Sequence, residues 1–259
     1  LTFTIQWTPN QRPLTITCTG RDPALTKILF QGLLQEAKRL LNHPLPCTGH
    51  IQLTHTISIG NGLGFSACLC VAIARWLMHL GYIQEDQCFH FSQQLEDHCH
   101  GQSSGIDVAA VYYAKPLRYT RSQGWQPLSC CFQPYFTLHD SKMRSSTQTC
   151  IAQVTQLTQQ QPKIMQDNDQ HMHQASQLAQ HALITNQSKS KALQQLTQAI
   201  QNAHDCFETW QLIPPEVARL IHQLKHNGAL AVKPTGSGLG GMLLALWDNP
   251  PSDLNTMKI

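Results

Sequence analysis

Apolar and polar residues alternate in three stretches of the first sixty residues, a pattern typical of half-buried β-strands. The stretches are Leu1–Gln6, Leu14–Cys18 and His50–Ile59. Between the first two lies Pro9–Pro13, which contains two prolines and an asparagine and therefore indicates a turn. We expect the first two strands to form a hairpin.

Other segments carry apolar residues at three- and four-residue spacing, which is typical of amphipathic helices. Asp22-Pro23 is a helix start signal, and Gly81 and Asn227-Gly228 are stop signals. Met165–Cys206 is rich in glutamine but keeps helical spacing, so two solvated helices or a low-complexity segment are both compatible with it. The remaining predicted helices are Ala24–Leu41, Cys68–Leu80, Glu85–Cys99, Thr149–Thr158 and Glu216–His226.

Further short strands are expected from Arg118 onwards. Arg118-Tyr119 and Trp125–Leu128 indicate a hairpin, while Met242–Trp247 fits a strand or a buried helix. Two further strands are predicted at Tyr135–His139 and Ala229–Val232, and Pro250-Pro251 indicates a loose tail. The pattern therefore predicts an α+β chain of two domains, residues 1–134 and 135–259.

Composition narrows the class of protein. A length of 259 residues with 41% hydrophobic residues is enough for a proper core. The net charge is +3 and only 13% of the residues are charged, so the composition does not indicate the basic surface typical of nucleic-acid-binding proteins. The longest apolar run, Cys68–Leu80, is interrupted by Arg75 and is too short to span a membrane. We expect a cytoplasmic protein that binds neither nucleic acid nor membrane.

Ten cysteines and an unusual first residue complete the general picture. The cysteines contain no C-x-x-C pair, so free thiols in a reducing cytosol are favoured over a disulfide framework. The chain starts with Leu1 rather than methionine and shows no signal-peptide pattern. We therefore expect that the first strands of the natural protein are missing.

Three glycine-bearing turns contain most of the candidate functional residues. They are Gly60–Ala67, His100–Asp107 and Thr235–Gly241, each flanked by apolar elements. Glycines remove the Cβ atoms that would hold a ligand away from the backbone, and the helix after Gly60–Ala67 offers unpaired N–H groups to a phosphate. This first turn matches neither the P-loop nor the dinucleotide fingerprint, so alone it is also compatible with a structural tight turn.

Together the turns resemble the three motifs of the GHMP kinases, small-molecule kinases such as galactokinase, homoserine kinase and mevalonate kinase. Gly60–Ala67 resembles G-x-G-L-G-S-S-A with Phe65 in place of the first serine, and Lys233–Gly241 resembles K-x-T-G-x-G-x-G-G. The middle turn is similar to the mevalonate kinase pattern E-x-x-x-H-G-x-P-S-G-I-D, from Glu96 to Asp107, with Ser103 in place of proline. Arg144-Ser145-Ser146 and Asn202-Ala203-His204 resemble two further motifs of those kinases.

The resemblance implies a nucleotide-binding α+β domain, a C-terminal ferredoxin-like domain and ATP-dependent phosphorylation of mevalonate to 5-phosphomevalonate, in isoprenoid synthesis. It implies Asp107 as the catalytic base and Ser66 and Glu96 as ligands of Mg²⁺, a hard cation that takes oxygen donors. It also suggests a homodimer. The nucleotide is expected at Gly60, Asn61, Gly62, Leu63, Gly64, Phe65, Ser66, Ala67, Gly236, Ser237 and Gly238, and the substrate at His100, Ser104, Gly105 and Thr235.

Each of these roles has a simpler alternative. Ser66 could cap the helix that follows it, and Asp107 could cap Val108–Tyr113. Glu96 could be a solvated helix residue, or it could bind zinc with His100 four residues later, although no H-E-x-x-H pattern or cysteine cluster accompanies the pair.

Two other functions stay open from the sequence. One is another kinase of the same superfamily, above all phosphomevalonate kinase, and the other is a nucleotide-binding relative without turnover. The family's first motif supplies a lysine beside the catalytic aspartate, and no such segment precedes Gly60 here. Either the start of the chain is missing, or catalysis is in doubt.

Overall fold

The computed structural model describes residues 2–57, 59–101 and 103–249. The described residues form two compact units. The first unit comprises those in Leu1–Ile59, Gly64–Ala114 and Tyr119–Trp125, and the second unit comprises those in Gly60–Leu63, Lys115–Arg118 and Gln126–Ile259. Four parts of the predictions lie outside the described residues: Leu1, Ser58 of the third predicted strand, Gln102 of the middle turn and the tail at Pro250-Pro251. The predicted domain boundary after residue 134 stays a prediction.

A three-stranded sheet organises the first unit. Its strands are β1 (Phe3–Pro13), β2 (Thr15–Thr19) and β3 (Thr48–His55), in the order β1-β3-β2. β3 is antiparallel to β1 and parallel to β2. The helix α1 (Pro23–Leu41) connects β2 to β3, so these elements form a βαβ unit, which parallel strands require.

The predicted hairpin is wrong, because β3 lies between the two strands that were expected to pair. The predicted turn at Pro9–Pro13 is wrong as well, since β1 continues through it to Pro13. Proline has no N–H to donate, but within the described sheet β1 is an edge strand, where proline is tolerated. The pairing with β3 is irregular between Thr8 and Pro13, which accommodates the prolines.

Three helices complete the functional part of the first unit: α2 (Phe65–His79), α3 (Glu85–His100) and α4 (Ile106–Tyr113). α2 is the central helix, with Leu69, Ile73 and Leu77 fully buried. It begins three residues before its predicted start at Cys68, because Gly64 adopts the left-handed conformation (φ 64°) and caps it. The short strands β4 (Leu117–Thr120) and β5 (Gly124–Pro127) pair as predicted.

The second unit contains an antiparallel sheet of β6 (Tyr135–Asp140), β7 (Ala231–Pro234) and β8 (Met242–Trp247), in the order β6-β8-β7. β6 and β7 therefore run parallel with β8 inserted between them, a split βαβ arrangement typical of ferredoxin-like domains. Residues 242–247 form a strand and not the buried helix that the sequence also allowed. The helices between β6 and β7 are α5 (Thr147–Gln160), α6 (Pro162–Ile184), α7 (Lys189–Thr209) and α8 (Pro215–His226).

The glutamine-rich stretch forms two helices, α6 and α7, as predicted. Leu196 and Ile200 of α7 pack against Phe136 and Leu246 of the sheet, so the apolar stripe of this polar helix is buried. Among the described helices, none is long and apolar enough to cross a membrane.

Candidate active site

Two helix N-termini converge in the first unit. α2 begins at Gly64, and α4 begins at Gly105, which also has a positive φ of 82°. A Cβ atom at Gly64 would lie 3.6 Å from Cβ and 3.7 Å from Cγ of Asp107, in the first turn of α4. The bare backbone at Gly64 therefore lets the Asp107 carboxyl group lie against the start of α2. Asp107 as a residue is solvent-exposed, which leaves it open to a ligand although the surrounding protein removes part of the hydration of its carboxyl group.

Ser66, Glu96 and His100 lie together next to these helix ends. The Ser66 hydroxyl donates a hydrogen bond to Glu96 Oε1 at 2.8 Å and lies 3.0 Å from His100 Nε2. Glu96 and His100, one turn apart on α3, are also close, with 3.3 Å between Oε1 and Nε2. The Glu96 side chain is only 5% exposed, so its charge is held inside the protein by polar neighbours.

The structure excludes the capping roles considered for Ser66 and Asp107 and the solvated role considered for Glu96. The N-cap of α2 is Gly64 and that of α4 is Gly105, and neither helix start has a side-chain capping bond. The capping alternatives for Ser66 and Asp107 are therefore wrong. The solvated alternative for Glu96 is also wrong, because that side chain is buried.

The electrostatics of the cluster favour proton transfer at Asp107. Loss of hydration raises the pKa of Asp107, the Glu96 carboxylate raises it further, and His100 opposes the rise. The pKa of His100 is raised mainly by its hydrogen bond to Glu96, against a smaller opposing effect of burial. A carboxylate with a raised pKa is a stronger base, which suits general base catalysis.

The second unit brings the first and third glycine turns together at Gly62 and Thr235. The Thr235 hydroxyl lies within hydrogen-bonding distance of two carbonyl oxygens, 3.0 Å from Gly62 O and 3.1 Å from Met242 O. A Cβ at Gly236 would lie 2.9 Å from Gly62 Cα, and one at Gly241 would lie 2.7 Å from Asn61 O. These glycines permit direct contact between two backbone segments.

The other predicted nucleotide-binding residues differ in what they can offer a ligand. The Phe65 ring is buried and makes edge contacts with Phe3 and His55, and Ala67 is fully buried, so each has only backbone groups to contribute. Asn61 Oδ1 is buried without a hydrogen-bond partner among the described residues. Gly60 has open space around its Cα, with only Arg144 Cδ within 4 Å of an added Cβ.

Two family models match the chain. Residues 29–115 match the family model of the GHMP kinase N-terminal domain, and residues 187–254 match that of the C-terminal domain. Together the two matches span more than half of the chain. The chain belongs to the GHMP kinases.

Proteins similar to this GHMP kinase include the mevalonate kinase of Thermococcus gammatolerans. It is 23% identical over 208 residues, which are 80% of this chain and 62% of that enzyme. The mevalonate kinase of Dictyostelium discoideum is 28% identical over 139 residues, 45% of this chain and 36% of the relative. The chain thus spans less than two thirds of the length of these relatives.

Solved structures show the same fold. The L. major mevalonate kinase in complex with R-mevalonate superposes with a TM-score of 0.79 at 21% identity, covering 95% of this chain and 78% of the other. The Streptococcus pneumoniae phosphomevalonate kinase gives a TM-score of 0.67 at 14% identity, covering 95% and 81%. At these identities the likeness establishes the α+β GHMP fold, and the substrate does not follow from it.

The structure shows what the side chains of the two further motifs, Arg144-Ser145-Ser146 and Asn202-Ala203-His204, contact in this GHMP kinase. Arg144 binds both carboxylate oxygens of Asp140, at 2.9 and 3.0 Å, and this ion pair holds the pKa of Asp140 well below its usual range. Ser146 caps α5 by accepting a hydrogen bond from Thr149 N at 3.1 Å. The His204 side chain is buried, and its Nε2 lies 3.5 Å from Glu208 Oε1.

The sequence analysis missed three side chains near the predicted site residues. Cys70 donates to Glu96 Oε2 at 3.4 Å, and its position four residues after Ser66 was the only signal for this contact. The Tyr119 hydroxyl accepts a hydrogen bond from Gln93 at 2.9 Å and contacts Gly105. Lys233, the first residue of the third motif, donates to Pro234 O at 2.6 Å, and burial lowers the pKa of Lys233 to about 8.

Proposed function

We propose that this GHMP kinase transfers the γ-phosphoryl group of ATP to mevalonate and forms 5-phosphomevalonate. The observation that carries the proposal is the cluster of Ser66, Glu96 and His100 within 3.3 Å of one another, with Asp107 at the neighbouring helix start. The relatives that are named mevalonate kinase support the choice of substrate.

The donor set fits Mg²⁺. Ser66 Oγ and Glu96 Oε1 lie 2.8 Å apart, close enough to bind one small cation from the same side. Both are oxygen donors, and Mg²⁺ prefers one or two carboxylates together with substrate phosphates. Bound there, Mg²⁺ would neutralise charge on the β- and γ-phosphates. The family resemblance supports these two ligands as well.

The remaining roles follow from the chemistry of each group. The exposed Asp107 carboxylate accepts the proton of the attacking hydroxyl, and its raised pKa makes it a better acceptor. His100, Ser104, Gly105 and Thr235 are proposed to contact the substrate. The backbone N–H groups of Gly60–Ala67 and Gly236–Gly238 are proposed to bind the phosphates of ATP. We also propose a cytoplasmic location and a homodimer, both on the family resemblance.

A coupled ADP-release assay over mevalonate, phosphomevalonate, galactose and homoserine tests the proposal. We expect ADP release that depends on mevalonate and exceeds that with the other three acceptors. A preference for phosphomevalonate would replace the proposal by the second kinase considered above. ATP binding without ADP release on any acceptor would instead identify a nucleotide-binding relative without turnover.

A further inference from the structure

The buried Glu96 carboxylate has different neighbours at its two oxygen atoms. Oε1 faces Ser66 and His100, the groups assigned to Mg²⁺ and substrate. Oε2 faces sulfur: Cys70 donates to it at 3.4 Å, and the Cys99 thiol is part of the same group. The ligand atoms of Cys70, Glu96 and Cys99 all lie within 4.8 Å of one another.

Helix spacing produces this second set of donors. Cys70 follows Ser66 by four residues on α2, and Cys99 follows Glu96 by three residues on α3, so each pair shares one helix face. Since α2 packs against α3, the two faces meet at Glu96. Cys70 and Glu96 are buried while Cys99 is half-buried, which leaves a side from which an ion can approach.

We propose that Cys70, Cys99 and Glu96 form a binding site for a thiophilic divalent cation such as Zn²⁺ or Cd²⁺. A zinc ion with Zn–S of about 2.3 Å and Zn–O of about 2.0 Å in tetrahedral geometry places sulfur and oxygen about 3.5 Å apart. The observed separation of 3.4 Å between Cys70 Sγ and Glu96 Oε2 already has this value. The cation replaces the two thiol protons, which pass to solvent, so the net charge of the group is unchanged.

Ligand chemistry separates this site from the Mg²⁺ site on the other oxygen. Two thiolates select soft or borderline cations, whereas Mg²⁺ prefers oxygen donors. An ion on Oε2 shares the single negative charge of Glu96 and fixes the orientation of its carboxylate. Zinc should therefore raise the Mg²⁺ concentration needed for turnover, an effect that rests on the proposed kinase function, whereas cation binding itself does not.

The first experiment measures cation binding without any substrate. The full chain, kept reduced by a phosphine, is titrated with Cd²⁺ while the ultraviolet thiolate-to-Cd²⁺ absorption is recorded. We expect one tight equivalent, with affinity lowered by more than about tenfold in Cys70→Ser and in Cys99→Ser, since losing a ligand costs at least as much as losing an outer partner. Cys88→Ser, which removes an equally buried thiol of α3 outside the group, should bind like the parent chain.

The Cd²⁺ titration either supports or overturns the proposed cation site. Absence of a tight equivalent in the folded parent chain, or unchanged affinity in both serine variants, would overturn the proposal. If Cys70→Ser does not fold, the half-buried Cys99→Ser decides alone. A second titration follows ADP release against Mg²⁺ with and without Zn²⁺: a shifted Mg²⁺ requirement in Cys88→Ser that is absent in Cys99→Ser supports the link to Glu96. A chain that binds Cd²⁺ but has no kinase activity refutes the proposed function and leaves the cation site intact.

Discussion

Gly64 in the first unit and Gly236 in the second belong to similar glycine-rich motifs but have different surroundings. At Gly64 the nearest atoms to an added Cβ are those of the Asp107 side chain, at 3.6 and 3.7 Å. At Gly236 the nearest atom is the backbone Gly62 Cα, at 2.9 Å. The first glycine makes room for the Asp107 carboxyl group, and the second makes room for another backbone segment. A substitution at Gly64 should therefore affect chemistry, and one at Gly236 should affect stability.

The largest effect is expected at Asp107. Asp107→Asn keeps the shape of the side chain but cannot accept a proton, so turnover should fall by ~10²–10⁴-fold while ATP binding stays nearly unchanged. Steady-state ADP release and equilibrium nucleotide binding measure the two quantities. Asp86→Asn, an exposed aspartate in the first turn of α3, is the matched control and should leave turnover unchanged. Near-full turnover in Asp107→Asn would contradict the assigned base.

The second prediction concerns the backbone contact in the second unit. Gly236→Ala places a Cβ within 2.9 Å of Gly62 Cα, so the two segments must separate, at a cost of about 1–3 kcal/mol in the free energy of unfolding. Gly32→Ala is the control, because this exposed helical glycine has no atom within 4 Å of an added Cβ. It should stabilise the chain by about 0.5–1 kcal/mol. Chemical denaturation measures both, and equal effects of the two variants would disprove the close approach.

The third prediction concerns the oxygen donors beside Asp107. Ser66→Ala removes one ligand and Glu96→Gln removes the charge of the other, so each should raise the Mg²⁺ concentration for half-maximal activity by roughly tenfold or more. Ser92→Ala, a buried serine of α3 that donates to Cys88 O at 2.8 Å, is the control. A Mg²⁺ dependence that is unchanged in both Ser66→Ala and Glu96→Gln would exclude this donor set.

The sequence predicted the helices well because their apolar spacing and their start and stop residues are local signals. α1 was predicted from Ala24 and begins at Pro23, and α8 was predicted from Glu216 and begins at Pro215. The start of α2 was misplaced, because the left-handed conformation of Gly64 is fixed by its surroundings. The predicted assignment of Ser66, Glu96 and Asp107 to one site came from the family resemblance, and the structure places all three in the first unit.

Local sequence patterns could not predict the contacts between residues far apart in the chain. The pairing of β1 with β3 joins residues 35 to 52 positions apart, and the alternation in β1 is equally compatible with a hairpin. Likewise, Cys70 is an ordinary apolar position of α2 until α3 packs against it and brings Glu96 within 3.4 Å. Phe65 replaces a serine of the family motif, and only the packed structure shows that its ring joins Phe3 and His55 in the interior.

The smallest expected effect is the dependence of stability on pH at Asp107. Because its pKa is raised in the folded chain, the folded state binds this proton more tightly than the unfolded state does. Stability therefore falls as pH rises from the ordinary carboxyl pKa through the raised value, and the ionised carboxylate is a net cost at neutral pH. Asp107→Asn removes that cost, so the variant should be more stable than the parent chain at neutral pH, with the difference shrinking as the pH falls through this window. Denaturation curves across a pH series measure it, and Asp86→Asn controls for the general loss of one charge. A variant that is less stable at neutral pH, or whose difference from the parent chain does not change with pH, would mean that Asp107 is stabilised rather than strained by Glu96 and by its loss of hydration.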